Sequence, residues 1–319
     1  MQLLKKSLML LGVLVVLSSL IFAVQQGVNT DGETYATGHS ETTDKNVDPS
    51  YQVSAITIPE DLNFAGEAVP QEDPEVMERI DREFLVNTYW QSNALLLMKR
   101  ANKYFPIIEP ILLKNGIPED FKYLAVAESG LQNVSSPAGA RGFWQIMKAT
   151  GKEYGLEINS NVDERYHLEK ATQVACDYLN KYKEKYGSWT LAAAAYNAGT
   201  GSIDRYLDIQ QAEGYYDLLL GEETGRYVFR IMAIKEILSN PEQYGFKIGS
   251  DDFYQNIPTF QVEVDTAVGS FAEFAQNYGI SYKILKRHNP WLREPHLNNA
   301  SGKKYQISIP MKGYYKVGP

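Results

Sequence analysis

Residues 117–130 read Ile-Pro-Glu-Asp-Phe-Lys-Tyr-Leu-Ala-Val-Ala-Glu-Ser-Gly, a pattern that predicts one short helix. Pro118 suits a first helical turn, and Gly130 suits a left-handed C-terminal cap. Apolar residues and one carboxylate recur at helical spacing, at Phe121, Leu124, Ala125 and Glu128. Burial of this stripe would raise the pKa of Glu128, as a general acid near neutral pH requires. A glutamate that reaches solvent from the helix end is the alternative, since charged side chains are seldom buried unpaired.

Three further segments follow in order along the chain. Residues 135–147 read Ser-Ser-Pro-Ala-Gly-Ala-Arg-Gly-Phe-Trp-Gln-Ile-Met, residues 195–199 read Ala-Tyr-Asn-Ala-Gly, and residues 223–228 read Glu-Thr-Gly-Arg-Tyr-Val. With Glu128 ahead of them, they resemble the signature motifs of the lytic transglycosylase family related to goose-type lysozyme. Each motif alone is weak, whereas three in the same order are specific, and the resemblance covers roughly residues 75 to 245.

This resemblance implies a lysozyme-like helical catalytic domain that cleaves peptidoglycan between N-acetylmuramic acid and N-acetylglucosamine. Glu128 would first protonate the glycosidic oxygen and then act as base, so that a 1,6-anhydro sugar forms without water. Tyr196 would orient Glu128 or polarise the sugar. The residues expected to bind substrate are Ser136, Gln145, Met147, Tyr196, Asn197, Glu223 and Tyr227.

Several of these residues also have purely structural interpretations. Turn chemistry explains Ser136, core packing explains Met147, and a favourable helix dipole explains Glu223. The aromatic pair at residues 143–144 either lines a groove or packs in the core. Other acidic residues nearby are interpreted as ordinary loop or surface charges; they are Glu153, Glu157, Asp163 and Glu164.

Two other functions remain open. A hydrolytic lysozyme of the same fold would need a positioned water and a second carboxylate. A wall-binding protein without turnover would use the same groove for glycan strands only. No metal is expected, because the four histidines show no ligand spacing, and no cofactor is expected.

The N-terminal part of the chain predicts export. Residues 1–24 carry two lysines and then an apolar run, which indicates a signal peptide or an N-terminal anchor and hence the periplasm.

Residues 25–73 contain ten acidic residues and one lysine, which predicts a flexible acidic linker. The net charge of −8 is therefore concentrated in the linker. Nucleic acid is not expected as a partner, because no basic stripe is visible. The expected partners are glycan strands and other wall enzymes, with membrane contact only through the N-terminal segment.

Helical patterns dominate residues 74–248, the predicted catalytic domain. One long helix over residues 76–104 is interrupted at Phe105-Pro106, and a short helix follows over residues 107–115. Later helices are predicted over residues 143–154, 169–186, 189–197 and 223–238. The helix at 189–197 is apolar on nearly every side and should be the buried centre, while Cys176 should be a core thiol. The predicted fold class is therefore mainly α.

Residues 258–312 change character and predict a small α+β module. Alternating strands at 260–264 and 305–310 flank two short helical runs at 270–278 and 281–288. This order resembles a LysM module, which binds N-acetylglucosamine chains. The sequence departs from the LysM pattern at Val264, where glycine is usual, and in the lengthened connection 291–301. A packing module without ligand is therefore the alternative.

Overall fold

The computed structural model describes residues 53–315, and within them it contains ten α-helices and two antiparallel sheets of two strands each. The mainly α prediction with a small α+β C-terminal module is confirmed. The predicted signal or anchor and most of the predicted linker lie outside the described residues. None of the helices between residues 53 and 315 is both long enough and apolar enough to cross a membrane.

A hairpin formed by β1 (Asn63–Phe64) and β2 (Glu67–Ala68) precedes the first helix. Phe64 is fully buried, and its ring lies 5.1 Å from that of Phe121 in an edge-to-face contact. Burying a phenylalanine contributes roughly 1.5–3 kcal/mol. The predicted linker boundary at residue 73 is therefore too late, because the apolar residues near position 64 belong to the core.

Eight helices form the large domain. They are α1 (Pro74–Tyr89), α2 (Gln91–Lys114), α3 (Phe121–Ser129), α4 (Lys148–Glu153), α5 (Leu168–Tyr186), α6 (Trp189–Ala198), α7 (Thr200–Gln210) and α8 (Glu222–Ser239). As predicted, α6 is the buried centre, and it packs against α5, α7 and α8. Ser188 caps its first turn, and the Glu67 carboxylate accepts the Thr190 N–H at 2.9 Å. Cys176 is a fully buried core thiol, and burial raises its pKa to about 12.

Two predicted helix boundaries are wrong. The long N-terminal helix breaks at Trp90 rather than at Phe105-Pro106, and α2 continues through Pro106 and Pro110. Both prolines are exposed, so water can reach the backbone carbonyls that lose their helical partners. The helix predicted over 143–154 begins only at Lys148, because Gln145 has a left-handed φ of 46°. Helix α7 was not predicted.

The C-terminal module consists of β3 (Thr259–Val264), α9 (Phe271–Asn277), α10 (Tyr282–His288) and β4 (Tyr305–Pro310). The two strands pair antiparallel with Val262 opposite Ile307. Phe271, Leu285 and Ile307 are fully buried in a core separate from that of the large domain. The order of elements agrees with the prediction.

The module is docked against the large domain through residues 157–166. Val162 forms a β-bridge with Leu292 and is buried in the core of the module. The Asp163 N–H donates to the carbonyl of Trp291 at 2.9 Å, and the Arg293 N–H donates to the carbonyl of Asn161 at 2.7 Å. The lengthened connection at 291–301, which departs from the LysM pattern, is thus the segment that makes the contact.

Candidate active site

Glu128 lies in the last turn of α3, where the helix ends at Gly130 in the predicted left-handed conformation with φ 58°. Neighbouring residues 121–126 are all buried, and Glu128 itself is only partly exposed. The apolar stripe predicted from the sequence therefore carries the carboxylate to the edge of the core. Its side chain faces α8, which packs against α3.

The partner of Glu128 is Tyr227 on α8. The buried Tyr227 hydroxyl donates a short hydrogen bond to Oε1 of Glu128. Burial is the largest influence on Glu128 and raises its pKa to about 7, while the hydrogen bond from Tyr227 opposes that rise. The charge of Glu223 raises the pKa further and that of Arg230 lowers it. Near neutral pH, Glu128 can therefore both donate and accept a proton.

Tyr196 does not bond to Glu128, although it was the tyrosine expected to orient it. Its hydroxyl donates instead to the backbone carbonyl of Trp144 at 2.6 Å. The charge of Glu128 contributes, after burial, to raising the pKa of Tyr196, so the two side chains are close. Tyr196 thus ties the end of α6 to the segment 135–147, and the direct contact with the carboxylate belongs to Tyr227.

Asn197 and Glu223 connect the ends of α6 and α8. The side-chain oxygen of Asn197 accepts from the Thr224 hydroxyl at 2.9 Å. Glu223 is exposed in the first turn of α8, where a carboxylate is favoured by the helix dipole, and it acts on Glu128 through its charge. Glu223 therefore lies near the Glu128 carboxylate, and Asn197 joins the end of α6 to the first turn of α8.

Three predicted residues belong to the segment 135–147. The Ser136 hydroxyl accepts the Ala140 N–H at 3.1 Å, which closes a tight turn. The side-chain amide of Gln145 donates to the carbonyl of Gly142 at 2.7 Å. Met147 is 44% exposed just before α4, so core packing does not explain it. The structure thus gives Ser136 and Gln145 roles in shaping the loop.

The aromatic pair at 143–144 is buried in the core of the large domain. Trp144 is fully buried, and its indole N–H donates to the Thr172 hydroxyl at 2.8 Å. The ring of Phe143 lies 4.7 Å from that of Tyr104. The aromatic side chains of the segment 135–147 therefore anchor it to α2 and α5.

A buried ion pair supports this segment, and the sequence interpretation missed it. Asp163, interpreted as a surface charge, is 2% exposed and accepts from the Arg165 guanidinium at 2.8 Å. The same guanidinium donates to the carbonyl of Gly139 at 3.0 Å. Gly142, with φ 81°, lies so close that a Cβ would stand 2.1 Å from the Arg165 carbonyl oxygen. Glu164 is also buried, so both acidic residues were assigned wrongly.

A second buried carboxylate holds α1 against α8. Glu83 is fully buried and accepts from Arg226 at 2.6 Å, and Arg230 lies 3.7 Å from its other oxygen. Arg230 also acts on Glu128. Only the helical periodicity of α1, which places Glu83 on its apolar side with Ile80 and Phe84, hinted at this role. Between residues 53 and 315, no group of three acidic, histidine or cysteine side chains could hold a metal ion.

Two protein-family models match the chain. The transglycosylase SLT domain matches residues 106–219, and the soluble lytic transglycosylase C-terminal LysM-like domain matches residues 260–313. The chain is 30% identical to membrane-bound lytic murein transglycosylase D of Escherichia coli (strain K12) over 219 residues. That alignment covers 67% of this chain and 47% of the relative, so the chain spans about half the length of the relative. Both family resemblances drawn from the motifs are confirmed.

Two solved structures are similar to part of the chain. The 70 kDa soluble lytic transglycosylase of Escherichia coli has 22% identity and a TM-score of 0.38, with 48% of this chain and 27% of that chain covered. The lytic transglycosylase Slt inactive mutant E503Q from Pseudomonas aeruginosa has 18% identity and the same TM-score, with 48% and 26% covered.

Proposed function

The chain carries a transglycosylase SLT domain and a LysM-like C-terminal domain, and from that premise we propose that it is a lytic transglycosylase acting on peptidoglycan. The observation that carries the proposal is the geometry of Glu128. A single carboxyl group with a pKa of about 7, hydrogen-bonded to a buried tyrosine, suits a residue that must give and then take a proton. The relative named for murein cleavage supports the same substrate class.

In the first step, protonated Glu128 donates its proton to the oxygen between N-acetylmuramic acid and N-acetylglucosamine. The bond from the anomeric carbon to this oxygen breaks, and the anomeric carbon acquires oxocarbenium character. Glu128 is now a carboxylate, which the Tyr227 hydroxyl stabilises.

In the second step, Glu128 takes the proton of the hydroxyl on carbon 6 of the muramoyl sugar. That oxygen attacks the anomeric carbon and closes a 1,6-anhydro ring. The carboxyl group returns to its protonated form, and no water is consumed. One group therefore serves as acid and base, which requires that both protonation states be accessible near neutral pH.

The remaining predicted residues act on substrate position in this proposal. Ser136, Gln145 and Met147 present the segment 135–147 to the glycan, while Tyr196 anchors that segment through the carbonyl of Trp144. Glu223 borders Glu128 from the start of α8, and Asn197 at the end of α6 is hydrogen-bonded to the neighbouring Thr224. In the exported protein, the N-terminal segment would direct the enzyme to the periplasm, where glycan strands and other wall enzymes are its partners.

A hydrolytic lysozyme is the second candidate, because one observation favours it. Exposed Glu223 is close enough to Glu128 to influence its pKa, so a second carboxylate stands beside the first. Hydrolysis would use Glu223 to activate water. The transglycosylase route leaves Glu223 without a proton-transfer role.

The test is mass spectrometry of the muropeptides that the full chain releases from purified peptidoglycan. Products ending in 1,6-anhydro-N-acetylmuramic acid, one water lighter than reducing-end sugars, are expected. Glu128→Gln should abolish release while binding to peptidoglycan persists, and the matched Glu223→Gln variant should keep the anhydro products. Reducing-end products that disappear in Glu223→Gln would establish the lysozyme. Sedimentation with peptidoglycan but no release by the unmodified chain would leave a wall-binding protein.

A further inference from the structure

A groove with a volume of about 650 Å³ lies between the large domain and the C-terminal module. It is formed by α2, by the segment that directly follows α3, by residues 253–255 and by the end of α10. Three cationic side chains line it, from Arg100, Lys103 and Arg287, and no acidic residue is among the described residues that line it. In a chain with more acidic than basic residues, such a groove is a local concentration of positive charge.

The three cations have no ion-pair partner within residues 53–315. Lys122 on α3 shows the contrast, since it pairs with both Glu109 and Glu119. Arg100 donates one hydrogen bond, to the carbonyl of Gly130 at 3.1 Å, which fixes its guanidinium at the groove. Its other N–H groups have no hydrogen-bond partner among residues 53–315 and can therefore donate to an anion.

The positive charges also converge on a neighbouring histidine. Burial first, and then the charges of Lys103 and Arg287, lower the pKa of His288. Lys103 belongs to the large domain and Arg287 to the module, so docking brings the two cations together. Both charges would attract an anion that binds between them.

The other lining groups fit a peptide better than a simple ion. Gln132, Asn133 and Gln255 present carboxamides, which can pair with both the N–H and the C=O of a peptide bond. The rings of Tyr104 and Tyr254 add apolar surface. The volume lies in the range of sites for organic ligands, which is roughly 300–1,000 Å³.

The groove begins next to the end of the catalytic helix. Gly130, whose carbonyl binds Arg100, is two residues after Glu128, and Gln132 and Asn133 follow directly. We propose that this groove binds the carboxylate-bearing peptide attached to the muramoyl sugar of the glycan strand cleaved at Glu128. The peptide carboxylates would pair with the cations of α2 and α10, so that both domains hold one substrate. This inference rests on the proposed function.

The test uses equilibrium binding, which does not depend on turnover. The probe is an N-acetylmuramoyl tripeptide with free carboxylates, titrated into the full chain carrying Glu128→Gln. Removing two cations by Lys103→Ala and Arg287→Ala should weaken binding roughly tenfold or more, with a smaller dependence on salt. Neither side chain has an ion-pair partner within residues 53–315, and Lys103 contacts only the Tyr104 ring, 5.1 Å from its centroid, so the fold should persist. The control, Lys114→Ala with Arg205→Ala, removes the same charge from exposed positions outside the groove and should leave binding unchanged.

Three outcomes would overturn the inference. The groove variant could bind the probe as tightly as the control, or a probe with amidated carboxylates could bind as tightly as the free acid. Inorganic phosphate could also displace the probe at the concentration at which the tripeptide itself does, which would reduce the groove to a simple anion site. Failure of the proposed function looks different, because the unmodified chain would then release no anhydro products while these affinities still discriminate between the variants.

Discussion

Replacing Tyr227 with phenylalanine removes one hydroxyl from a buried site and keeps the ring. That hydroxyl donates to Oε1 of Glu128 and stabilises its charged form, whereas burial disfavours that form. Together with smaller effects of nearby charges, these two influences give Glu128 a pKa of about 7. A hydrogen bond to a charged group contributes about 1.5–3 kcal/mol, and a tenfold change in an equilibrium constant is about 1.4 kcal/mol. Its loss disfavours the carboxylate, so we expect the pKa of Glu128 to rise by at least about one pH unit.

The assay is the pH dependence of kcat/KM for muropeptide release, from about pH 5 to about pH 9. The form that starts the reaction is protonated Glu128, so activity should fall as the pH rises through its pKa. In the unmodified chain we expect this fall near pH 7. In Tyr227→Phe it should move at least about one pH unit upward.

Tyr196→Phe is the matched control, because the Tyr196 hydroxyl donates to the Trp144 carbonyl and not to Glu128. Tyr196→Phe can change the maximal rate, but the pH at which activity falls should stay the same as in the unmodified chain. An unmoved profile in Tyr227→Phe, or equal shifts in the two variants, would refute the assignment of Tyr227 as the group that tunes Glu128.

Three further predictions concern stability, measured by urea unfolding. Gly142→Ala should cost at least about 2 kcal/mol more than Gly139→Ala, because both have positive φ but only the first places a Cβ against the Arg165 carbonyl; equal losses would contradict this. Glu128→Gln should raise the unfolding free energy by up to about 3 kcal/mol above pH 8 and leave it nearly unchanged near pH 4. The reason is that the pKa of Glu128 is 4.5 in the unfolded chain and about 7 in the folded one, so the unmodified chain loses stability as the pH rises between these values. A gain in stability that does not depend on pH would contradict this explanation. Glu83→Ala should lower the unfolding free energy by about 3 kcal/mol, because it leaves the charges of Arg226 and Arg230 without their buried partner. A loss near zero would show that both arginines become hydrated instead.

The candidate acid was predictable because its signals are local. The spacing of α3 places Glu128 on the apolar side, and Gly130 ends the helix within two residues. The caps of α6, and the strands and helices of the C-terminal module, follow from equally short patterns. Features that are determined by a few neighbouring residues can therefore be predicted from the sequence.

The contacts that depend on packing were not predictable. Tyr196 and Tyr227 are both buried tyrosines at helix positions near the site, and only the packing of α8 on α3 decides which hydroxyl reaches Glu128. Asp163 looks like a loop charge, because its burial requires Arg165 to fold over it and the C-terminal module to cover the loop. The break at Trp90 was missed because prolines are the stronger local signal, and here they lie on the solvent side of α2.

The docked C-terminal module changes how a deletion experiment must be interpreted. Cutting the chain before β3 would expose Val162 and remove the backbone partners of Asn161 and Asp163. The neighbouring Arg165 holds the carbonyl of Gly139 in the segment 135–147, for which we proposed contact with the glycan. Low activity of a truncated chain would therefore not show by itself that affinity for the wall was lost, because the cut also removes contacts of the large domain. Point substitutions on the exposed face of the module are the way to ask what it binds.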